Sequence, residues 1–223
     1  MCSAGHPDVA PDCLQVLHAD AHLLAFDKPS GLLSVPGRGA DKQDCLATRA
    51  LAEWPDARVV HRLDMATSGV IVLARGEAMQ RALSIAFAER EIDKHYVAVV
   101  AGWPDADAGE IDLPLLTDWP NRPRQMVDAI AGKPSLTRWQ VLTRETAADG
   151  SRHARLALTP ITGRSHQLRV HLQAIGHPIL GDALYADDQA RAAAPRLLLH
   201  AASLSLTHPA HGAALHLVAP APF

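Results

Sequence analysis

The chain has 223 residues, which is long enough for one substantial domain with a full hydrophobic core. Hydrophobic residues make up 48% of the chain and charged residues 20%, a composition that excludes a disordered protein. The formal net charge is −3, yet residues 121–181 hold nine Lys and Arg against three Asp and Glu. Such a basic segment on an acidic chain indicates either an anion-binding face or an unevenly charged solvated surface.

The cysteines and the apolar runs predict a cytoplasmic protein with no membrane partner. Cys2, Cys13 and Cys45 form no C-x-x-C pair, and any pairing leaves one over, which fits a reducing compartment. Apolar runs such as residues 96–101 are far too short to cross a bilayer. Residues 1–11 have neither the basic flank nor the apolar stretch of a secretory signal.

Apolar patterning predicts alternating strands and helices in the first half of the chain. Asp44 is a candidate N-cap for the first helix, whose apolar face contains Leu46, Ala50 and Trp54. The predicted elements are strands over residues 22–28, 57–60, 69–74 and 96–100, and helices over residues 44–54 and 77–92.

The second half predicts mainly antiparallel pairing. Residues 103–125 are rich in Pro and Asp, which indicates an irregular segment with short strands. Ser165 is a candidate cap for a helix that stops at Gly176. The predicted strands are 135–142 paired with 153–158, and a closing hairpin of 196–206 with 214–218. The fold class expected is therefore α+β, with a mixed, mostly antiparallel central sheet and flanking helices.

The densest polar loop is His61-Arg-Leu-Asp-Met-Ala-Thr-Ser-Gly69, between two apolar strands. Loops positioned by strands are common places for catalytic chemistry. Arg62 and Asp64 are two residues apart, so in an extended segment they face the same way. Spacing alone equally allows Asp64 to be a turn residue that binds Thr67 and Ser68.

The second polar segment, Gly163-Arg-Ser-His-Gln-Leu-Arg-Val-His171, opens a predicted helix, and a helix N-terminus favours an anion. Arg164 lies just outside that helix, where it can pair with a carboxylate or a phosphate. Gln167 replaces the final Gly of the G-x-S-x-G elbow, which argues against a serine hydrolase. His166 and His171 are five residues apart and lie on different helix faces, so no metal site is predicted.

Two further positions stay open on spacing alone. Tyr96 starts a predicted strand, where a tyrosine is either a core edge residue or a catalytic group. The segment Asn121-Arg-Pro-Arg124 is either a phosphate contact, through Arg122 and Arg124, or a solvated loop.

Taken in order, these segments resemble the motifs of the RluA-type pseudouridine synthases from about residue 20 to the C-terminus. Domain expectations follow from this resemblance: residues 1–20 as an N-terminal extension, residues 21–223 as the catalytic domain, and no S4 RNA-binding domain. The matching motifs are Lys28-Pro-Ser-Gly31, the loop 61–69, Lys94-His-Tyr96, the segment 163–171, Gly176-His-Pro-Ile-Leu-Gly-Asp182 with Tyr185, and Arg196-Leu-Leu-Leu-His200.

The resemblance implies isomerisation of uridine to pseudouridine in RNA, without a cofactor because nothing is oxidised and no group leaves. Asp64 is the implied catalytic carboxylate at C1′, Arg164 its guanidinium partner, and Tyr96 the residue that stacks on the uracil or takes a proton. Arg62 is expected to fill the gap left by the flipped base. The implied substrates are uridine-32 of tRNA anticodon loops and uridine-746 of 23S rRNA, or another rRNA or tRNA uridine.

The same motifs imply a monomeric enzyme that binds tRNA and 23S rRNA. Alternatives from other functional classes are an RNA-binding module without catalysis and a glycosidase or nucleosidase that releases free uracil. The residues expected to contact RNA, besides Arg62, are His61, Thr67, Arg122, Arg124, His166 and Arg169.

Overall fold

The computed structural model describes residues 13–223, which divide into two compact units. The first unit contains the chain up to Lys94 together with His200–Pro222, and the second contains His95–Leu199 with Phe223. Strands predominate in both units and the helices are few, so the predicted α+β class is confirmed.

Within the described residues, strands and helices follow one another along the whole chain. The strands are β1 (Gln15–Ala19), β2 (Leu23–Lys28), β3 (Ala57–Val59), β4 (Ser68–Arg75), β5 (Asp93–Ala101), β6 (Ala108–Asp112), β7 (Leu115–Thr117), β8 (Gln125–Val127), β9 (Leu136–Thr146), β10 (Arg152–Pro160), β11 (Leu199–Thr207) and β12 (Ala214–Val218). The helices are a 3-10 turn (Ala40–Lys42), α1 (Leu46–Glu53), α2 (Gly76–Ala88), α3 (Gln167–Ala174) and α4 (Asp188–Ala192).

The first unit is a mixed sheet in which β2 and β4 are central. Antiparallel pairing joins β1 to β2, β2 to β4, β3 to β4 and β11 to β12, while β4 and β11 run parallel. Residues 23–26 and 70–74 are almost completely buried, which explains their uninterrupted apolar runs. Met79 and Leu83 of α2 pack into the same core.

The second unit is antiparallel, with the strand order β5, β10, β9, β6. A separate hairpin is formed by β7 and β8. A small cluster of Leu115, Val170 and Tyr185 joins the start of that hairpin to α3. This cluster matters for the site because α3 directly follows the segment that contains Arg164.

Several local predictions are corrected by tertiary contacts. The N-cap of α1 is Cys45, whose Sγ accepts the Thr48 N–H at 3.4 Å, rather than Asp44. The Asp44 carboxylate instead accepts two hydrogen bonds from Arg49, at 2.8 and 2.7 Å. The N-cap of α3 is His166 rather than Ser165.

Element boundaries also differ from the prediction. Strand β1 precedes the first predicted strand and lies within the predicted extension 1–20, the rest of which mostly falls outside the described residues. Helix α2 ends at Ala88 instead of residue 92, and the short helix α4 has no counterpart among the predicted elements.

Residues 13–223 contain no helix that is both long and apolar enough to span a bilayer. Cys45 is a buried free thiol, whereas Cys13 is disulfide-bonded, so the cysteines do not by themselves indicate one redox compartment.

Candidate active site

The loop that contains Asp64 leaves β3 and returns to the sheet at β4. Leu63 is buried, Arg62 is exposed and Asp64 is partly exposed, as expected for an extended segment with alternating side chains. A turn follows, in which the Thr67 N–H donates to the Asp64 carbonyl oxygen at 3.1 Å. The backbone of Asp64 is therefore fixed by a turn, and the residue as a whole is partly exposed.

Lys28 stabilises this loop through hydrogen bonds from its buried ammonium group. Its side chain is completely buried, and its Nζ donates to the carbonyl oxygens of Pro29 at 2.9 Å, Leu32 at 2.8 Å and Met65 at 3.1 Å. An ammonium group has three donors, and here all three meet main-chain acceptors. One of those acceptors, Met65, is the residue immediately after Asp64.

The rest of the Lys28-Pro-Ser-Gly31 segment binds the loop in the same way. The Gly31 N–H donates to the Met65 carbonyl at 2.8 Å, and the Ser30 hydroxyl donates to the Ala66 carbonyl at 2.8 Å. Ser34 Oγ donates to the Leu63 carbonyl at 2.7 Å and accepts the Leu63 N–H at 3.1 Å. The residues on both sides of Asp64 are thus held by side chains and backbone that come from one short segment.

The exit of the loop is fixed where β4 runs beside β11. Ser68 Oγ lies 2.8 Å from His200 Nδ1, and His200 Nε2 donates to the Ala219 carbonyl at 2.9 Å. Gly69 has φ 110°, and a Cβ there would collide with the Ala201 carbonyl oxygen. Only glycine allows the two backbones this close approach.

His61 makes two contacts that stabilise the loop. Its Nε2 accepts the Val72 N–H at 3.0 Å, and its ring stacks on Phe87 with 4.3 Å between centroids. Burial, with a smaller effect from nearby Lys94, lowers the pKa of His61 to about 3. These contacts give His61 a structural role, and the RNA contact predicted for it stays a prediction.

Thr67 is buried, and its backbone N–H forms the turn with Asp64. The RNA contact predicted for Thr67 stays a prediction. Arg62 remains exposed, so the RNA contact predicted for it stays a prediction.

In the second unit, Gln167 organises the segment that contains Arg164. The buried Gln167 side chain accepts the Arg164 N–H at 3.0 Å and the Thr162 hydroxyl at 2.7 Å through Oε1. Its Nε2 donates to the Leu136 carbonyl at 2.9 Å and to Thr137 Oγ1 at 3.0 Å. The backbone at Arg164 is therefore fixed, while the Arg164 side chain is exposed.

His166 connects this segment to the β7–β8 hairpin. It adopts a left-handed backbone with φ 54°, and its Nδ1 lies 2.6 Å from the Tyr185 hydroxyl. The same hydroxyl accepts the Gln125 N–H at 2.8 Å, at the start of β8. These contacts of His166 are with the protein and do not test the RNA contact predicted for it, which stays a prediction.

Arg169 is buried and its guanidinium binds both carboxylate oxygens of Asp182, at 2.8 and 2.7 Å. Asp182 also accepts the N–H groups of Leu184 and Tyr185. A bidentate buried pair that orders a turn is a structural element. The RNA contact predicted for Arg169 stays a prediction beside this structural role.

The remaining predicted residues lie at the surface of the second unit or at its edge. Arg122 and Arg124 are exposed in the loop between β7 and β8. Tyr96 is partly buried on β5, where it pairs with Leu158 of β10. Asp64 belongs to the first unit, and Tyr96 and Arg164 belong to the second, so their joint action stays a prediction.

Sequence reasoning quoted Lys28, Gln167, Asp182 and Tyr185 within motifs but assigned none of them a role. A lysine at the end of a mostly apolar strand was the available signal for Lys28. Among residues 13–223, no group of three or more His, Cys, Asp or Glu side chains could hold a metal ion.

Comparisons with known proteins agree with this geometry. The family model described as RNA pseudouridylate synthase matches residues 22–174. The dual-specificity RNA pseudouridine synthase RluA of Escherichia coli K12 is 55% identical over 210 residues, which cover 94% of each chain. The enzyme of the same name from Yersinia pestis is 53% identical over 208 residues, 93% of this chain and 99% of that one.

Solved structures show the same fold. Human RNA pseudouridylate synthase domain containing 1 superposes with a TM-score of 0.79 at 28% identity, over 99% of this chain and 87% of that one. Human RNA pseudouridylate synthase domain containing 4 gives a TM-score of 0.73 at 30% identity, over 93% and 88% of the two chains. On the family match and the extent of these identities, the chain belongs to the RNA pseudouridylate synthases, and the predicted enzyme class, an RNA-modifying isomerase, is confirmed.

Proposed function

We propose that this enzyme converts uridine to pseudouridine at position 32 of tRNA anticodon loops and at position 746 of 23S rRNA. The observation that carries the proposal is the way hydrogen bonds hold the backbone on both sides of Asp64. Lys28, Ser30 and Ser34 bind the main-chain carbonyls on both sides of it, and Asp64 itself is partly exposed. More than half of the residues match relatives named as dual-specificity enzymes, which supports two RNA substrates.

The reaction exchanges one glycosidic bond for another. The C1′–N1 bond breaks, the uracil turns, a C1′–C5 bond forms, and the hydrogen of C5 is replaced by one on N1. Positive charge develops at C1′ when the first bond breaks, and a carboxylate stabilises that charge. Asp64 either adds to C1′ or removes a sugar proton, and both routes need its ionised form.

Arg164 and Tyr96 complete the proposed catalytic group. The Arg164 guanidinium pairs with the Asp64 carboxylate and keeps it ionised through the reaction. Tyr96 stacks on the uracil or accepts the proton released from C5. No oxidation state changes and no group is lost, so the chemistry requires no cofactor.

Base extrusion explains the preference for loops. Flipping a nucleotide out of its stack costs a few kcal/mol, and the cost is smallest where the base is unpaired. Arg62, exposed two residues before Asp64, occupies the space that the base vacates. Arg122 and Arg124 bind phosphates on the same RNA. The enzyme acts as a cytoplasmic monomer, and residues 21–223 are its catalytic domain.

The test uses an anticodon stem-loop RNA labelled with tritium at C5 of uridine, because pseudouridine formation transfers that hydrogen to water. Asp64→Asn and Asp64→Ala should abolish tritium release and leave the RNA dissociation constant within about threefold, since one carboxylate adds little to phosphate-dominated binding. The matched control is Asp44→Asn, an exposed carboxylate of the same unit that binds Arg49.

Each alternative gives a different result. Full activity of Asp64→Ala removes Asp64 from the mechanism. Free uracil without pseudouridine in the RNA identifies a nucleosidase, and salt-dependent binding without product identifies a binding module. Product at a uridine other than position 32 or 746 overturns the proposed substrates and leaves the reaction intact.

A further inference from the structure

The hairpin of β7 and β8 exposes a tryptophan at its tip. Trp119 is 67% exposed, which is unusual for an indole in a folded domain. The Arg122 guanidinium lies over its ring, with 4.0 Å from Cζ to the ring centroid, and Arg122 Nε donates to the Trp119 carbonyl at 3.1 Å. The cation thus orients the indole, and most of the indole surface remains open.

The tip is held rigidly. The Asp118 N–H donates to the Arg124 carbonyl at 3.0 Å and closes the loop at the end of the strands. Asn121 Nδ2 donates to both Asp118 carboxylate oxygens, at 3.1 and 3.0 Å, which engages the acidic group of this loop. Below the tip, the Gln125 N–H donates to the Tyr185 hydroxyl, and Leu115 packs in the buried cluster of the second unit. An aromatic ring whose supporting loop is fixed by hydrogen bonds in this way is preorganised for binding.

The chemistry of the tip favours an unpaired nucleobase. Stacking on aromatic side chains next to guanidinium groups is how proteins bind single-stranded nucleic acid, because every base has a π face and a phosphate beside it. Residues 115–127 hold two arginines against one aspartate, and Asn121 engages that aspartate. A paired base inside a helix offers no free face, so this tip selects single-stranded loop nucleotides.

We propose that Trp119 stacks on an unpaired base of the substrate RNA and forms a nucleobase subsite separate from the flipped uridine. The inference rests on the proposed function, since it takes RNA as the substrate. It extends that function because stacking demands a single-stranded nucleotide, which phosphate contacts of Arg122 and Arg124 do not.

The experiment measures the affinity of the full chain for an anticodon stem-loop RNA. Trp119→Ala should weaken binding about 5- to 150-fold, the range found for lost base–aromatic stacking. Trp119→Phe should recover most of the loss, whereas Trp119→Leu, which is apolar but has no π face, should not. The salt dependence of binding should be unchanged in Trp119→Ala but weaker in Arg124→Ala, because only the arginine binds a phosphate.

The matched control is Trp103→Phe. Trp103 also carries an arginine on its ring, with Arg152 Cζ 4.6 Å from the centroid, but its indole N–H donates to the Glu145 carbonyl. This substitution should leave RNA affinity unchanged. Abasic nucleotides placed one at a time in the loop then locate the partner base. When the partner base is the one removed, Trp119→Ala should cause no further loss of RNA affinity.

Several results would overturn the inference. Unchanged affinity of Trp119→Ala for an RNA that the wild type modifies removes the subsite and leaves the proposed function intact. If the affinity loss of Trp119→Ala adds fully to the loss caused by an abasic nucleotide at every loop position, the subsite is likewise removed and the proposed function stays intact. If the variant changes self-association and not RNA affinity, the face joins two copies of the chain. Conversely, a located partner base in an RNA that yields no pseudouridine supports the subsite and contradicts the proposed function.

Discussion

Lys28 is a buried cation whose ammonium donors all bind main-chain carbonyls beside the Asp64 loop. A side chain that makes no contact with a ligand can therefore control where the Asp64 backbone lies. The compact ammonium fits three convergent oxygens, whereas a planar guanidinium directs its donors differently.

Lys28→Met should lower both stability and activity. The substitution keeps an unbranched chain of similar length but removes the ammonium donor of the Pro29 and Leu32 carbonyls, at about 1–3 kcal/mol each in the extreme, while the Met65 carbonyl keeps the Gly31 N–H. We expect the free energy of unfolding in urea to fall by about 2–4 kcal/mol and tritium release at saturating RNA to fall at least about tenfold. Lys28→Arg should not restore turnover. Wild-type turnover in Lys28→Met would show that the loop is positioned without the ammonium.

His61 gives the molecule a defined acid sensitivity. Its pKa is lowered from 6.5 to about 3, so the folded state holds it neutral while the unfolded chain protonates near pH 6.5. The stabilising contribution is complete above pH 6.5 and is lost as the pH falls toward 3, with a slope approaching about 1.4 kcal/mol per pH unit. In His61→Gln, whose amide oxygen can still accept the Val72 N–H, this part of the acid dependence should be absent. The exposed control His216→Gln should retain it, and urea midpoints between pH 7.5 and 4.5 measure the difference.

At the scale of elements, the Tyr185 hydroxyl links two parts of the second unit. It accepts the Gln125 N–H at the start of β8 and contacts His166 at the start of α3, two residues after Arg164. The hairpin proposed to bind RNA is thus in hydrogen-bonded contact with the segment that contains Arg164, a proposed catalytic residue.

Tyr185→Phe should separate these two elements while preserving the apolar packing of the ring. Loss of the shared hydroxyl should cost about 1–2 kcal/mol of stability. Turnover at saturating RNA should fall more than this stability loss explains, because the Arg164 segment loses its anchor. Thr117→Val is the matched control, since its hydroxyl bonds to Gln125 on the same hairpin and does not reach His166. Equal kinetics for Tyr185→Phe and Thr117→Val would contradict the link.

The same scale explains what the sequence could predict. Residues 22–28 and 69–74 are predicted as strands from their apolar runs, and the structure shows why these runs occur, since central strands are apolar on both faces. The caps at Asp44 and Ser165 followed sound local rules, but Arg49 binds the first carboxylate and Gln167 takes the backbone amide next to the second. Strand β1 was missed because its sequence, Gln15–Ala19, has no clear alternation.

The protein partners of the site residues could not be predicted for a related reason. His61 and Arg169 stand in polar motifs, and polar residues in a motif suggest ligand contacts. Their partners in the protein, the Val72 amide and the Asp182 carboxylate, lie 11 and 13 residues away, and sequence alone does not reveal which polar residues satisfy each other. The loop that contains Asp64 is predicted between two strands, and the structure confirms this placement, while the catalytic role of Asp64 stays a prediction.

At the scale of the whole molecule, the first unit is built from two distant stretches of chain. Residues up to 94 and residues 200–222 share one sheet and one core, in which Leu204, Leu217 and Ala219 pack with Leu23 and Val70. His200 joins these stretches, since it contacts Ser68 with one nitrogen and Ala219 with the other.

His200→Phe should weaken this connection. A ring of similar size fills the space but removes the hydrogen bonds of the imidazole to the buried Ser68 hydroxyl and to the Ala219 carbonyl, at a cost of about 2–4 kcal/mol. Hydrogen exchange should accelerate at the amides of residues 68–70, next to the catalytic loop. His216→Phe, which removes an exposed imidazole that contacts Ser205, should leave these amides protected. Unchanged exchange in His200→Phe would show that the parallel strands alone hold the loop.

The discontinuous first unit also has a consequence during protein synthesis. Ribosomes deliver the chain from its N-terminus, so the segment 95–199 is complete while β4 still lacks its parallel neighbour and Ser68 still lacks its imidazole. The Asp64 loop can reach its final geometry only after residues 200–219 have emerged from the exit tunnel. A nascent polypeptide arrested before that point would therefore remain catalytically silent, however much of it had already folded.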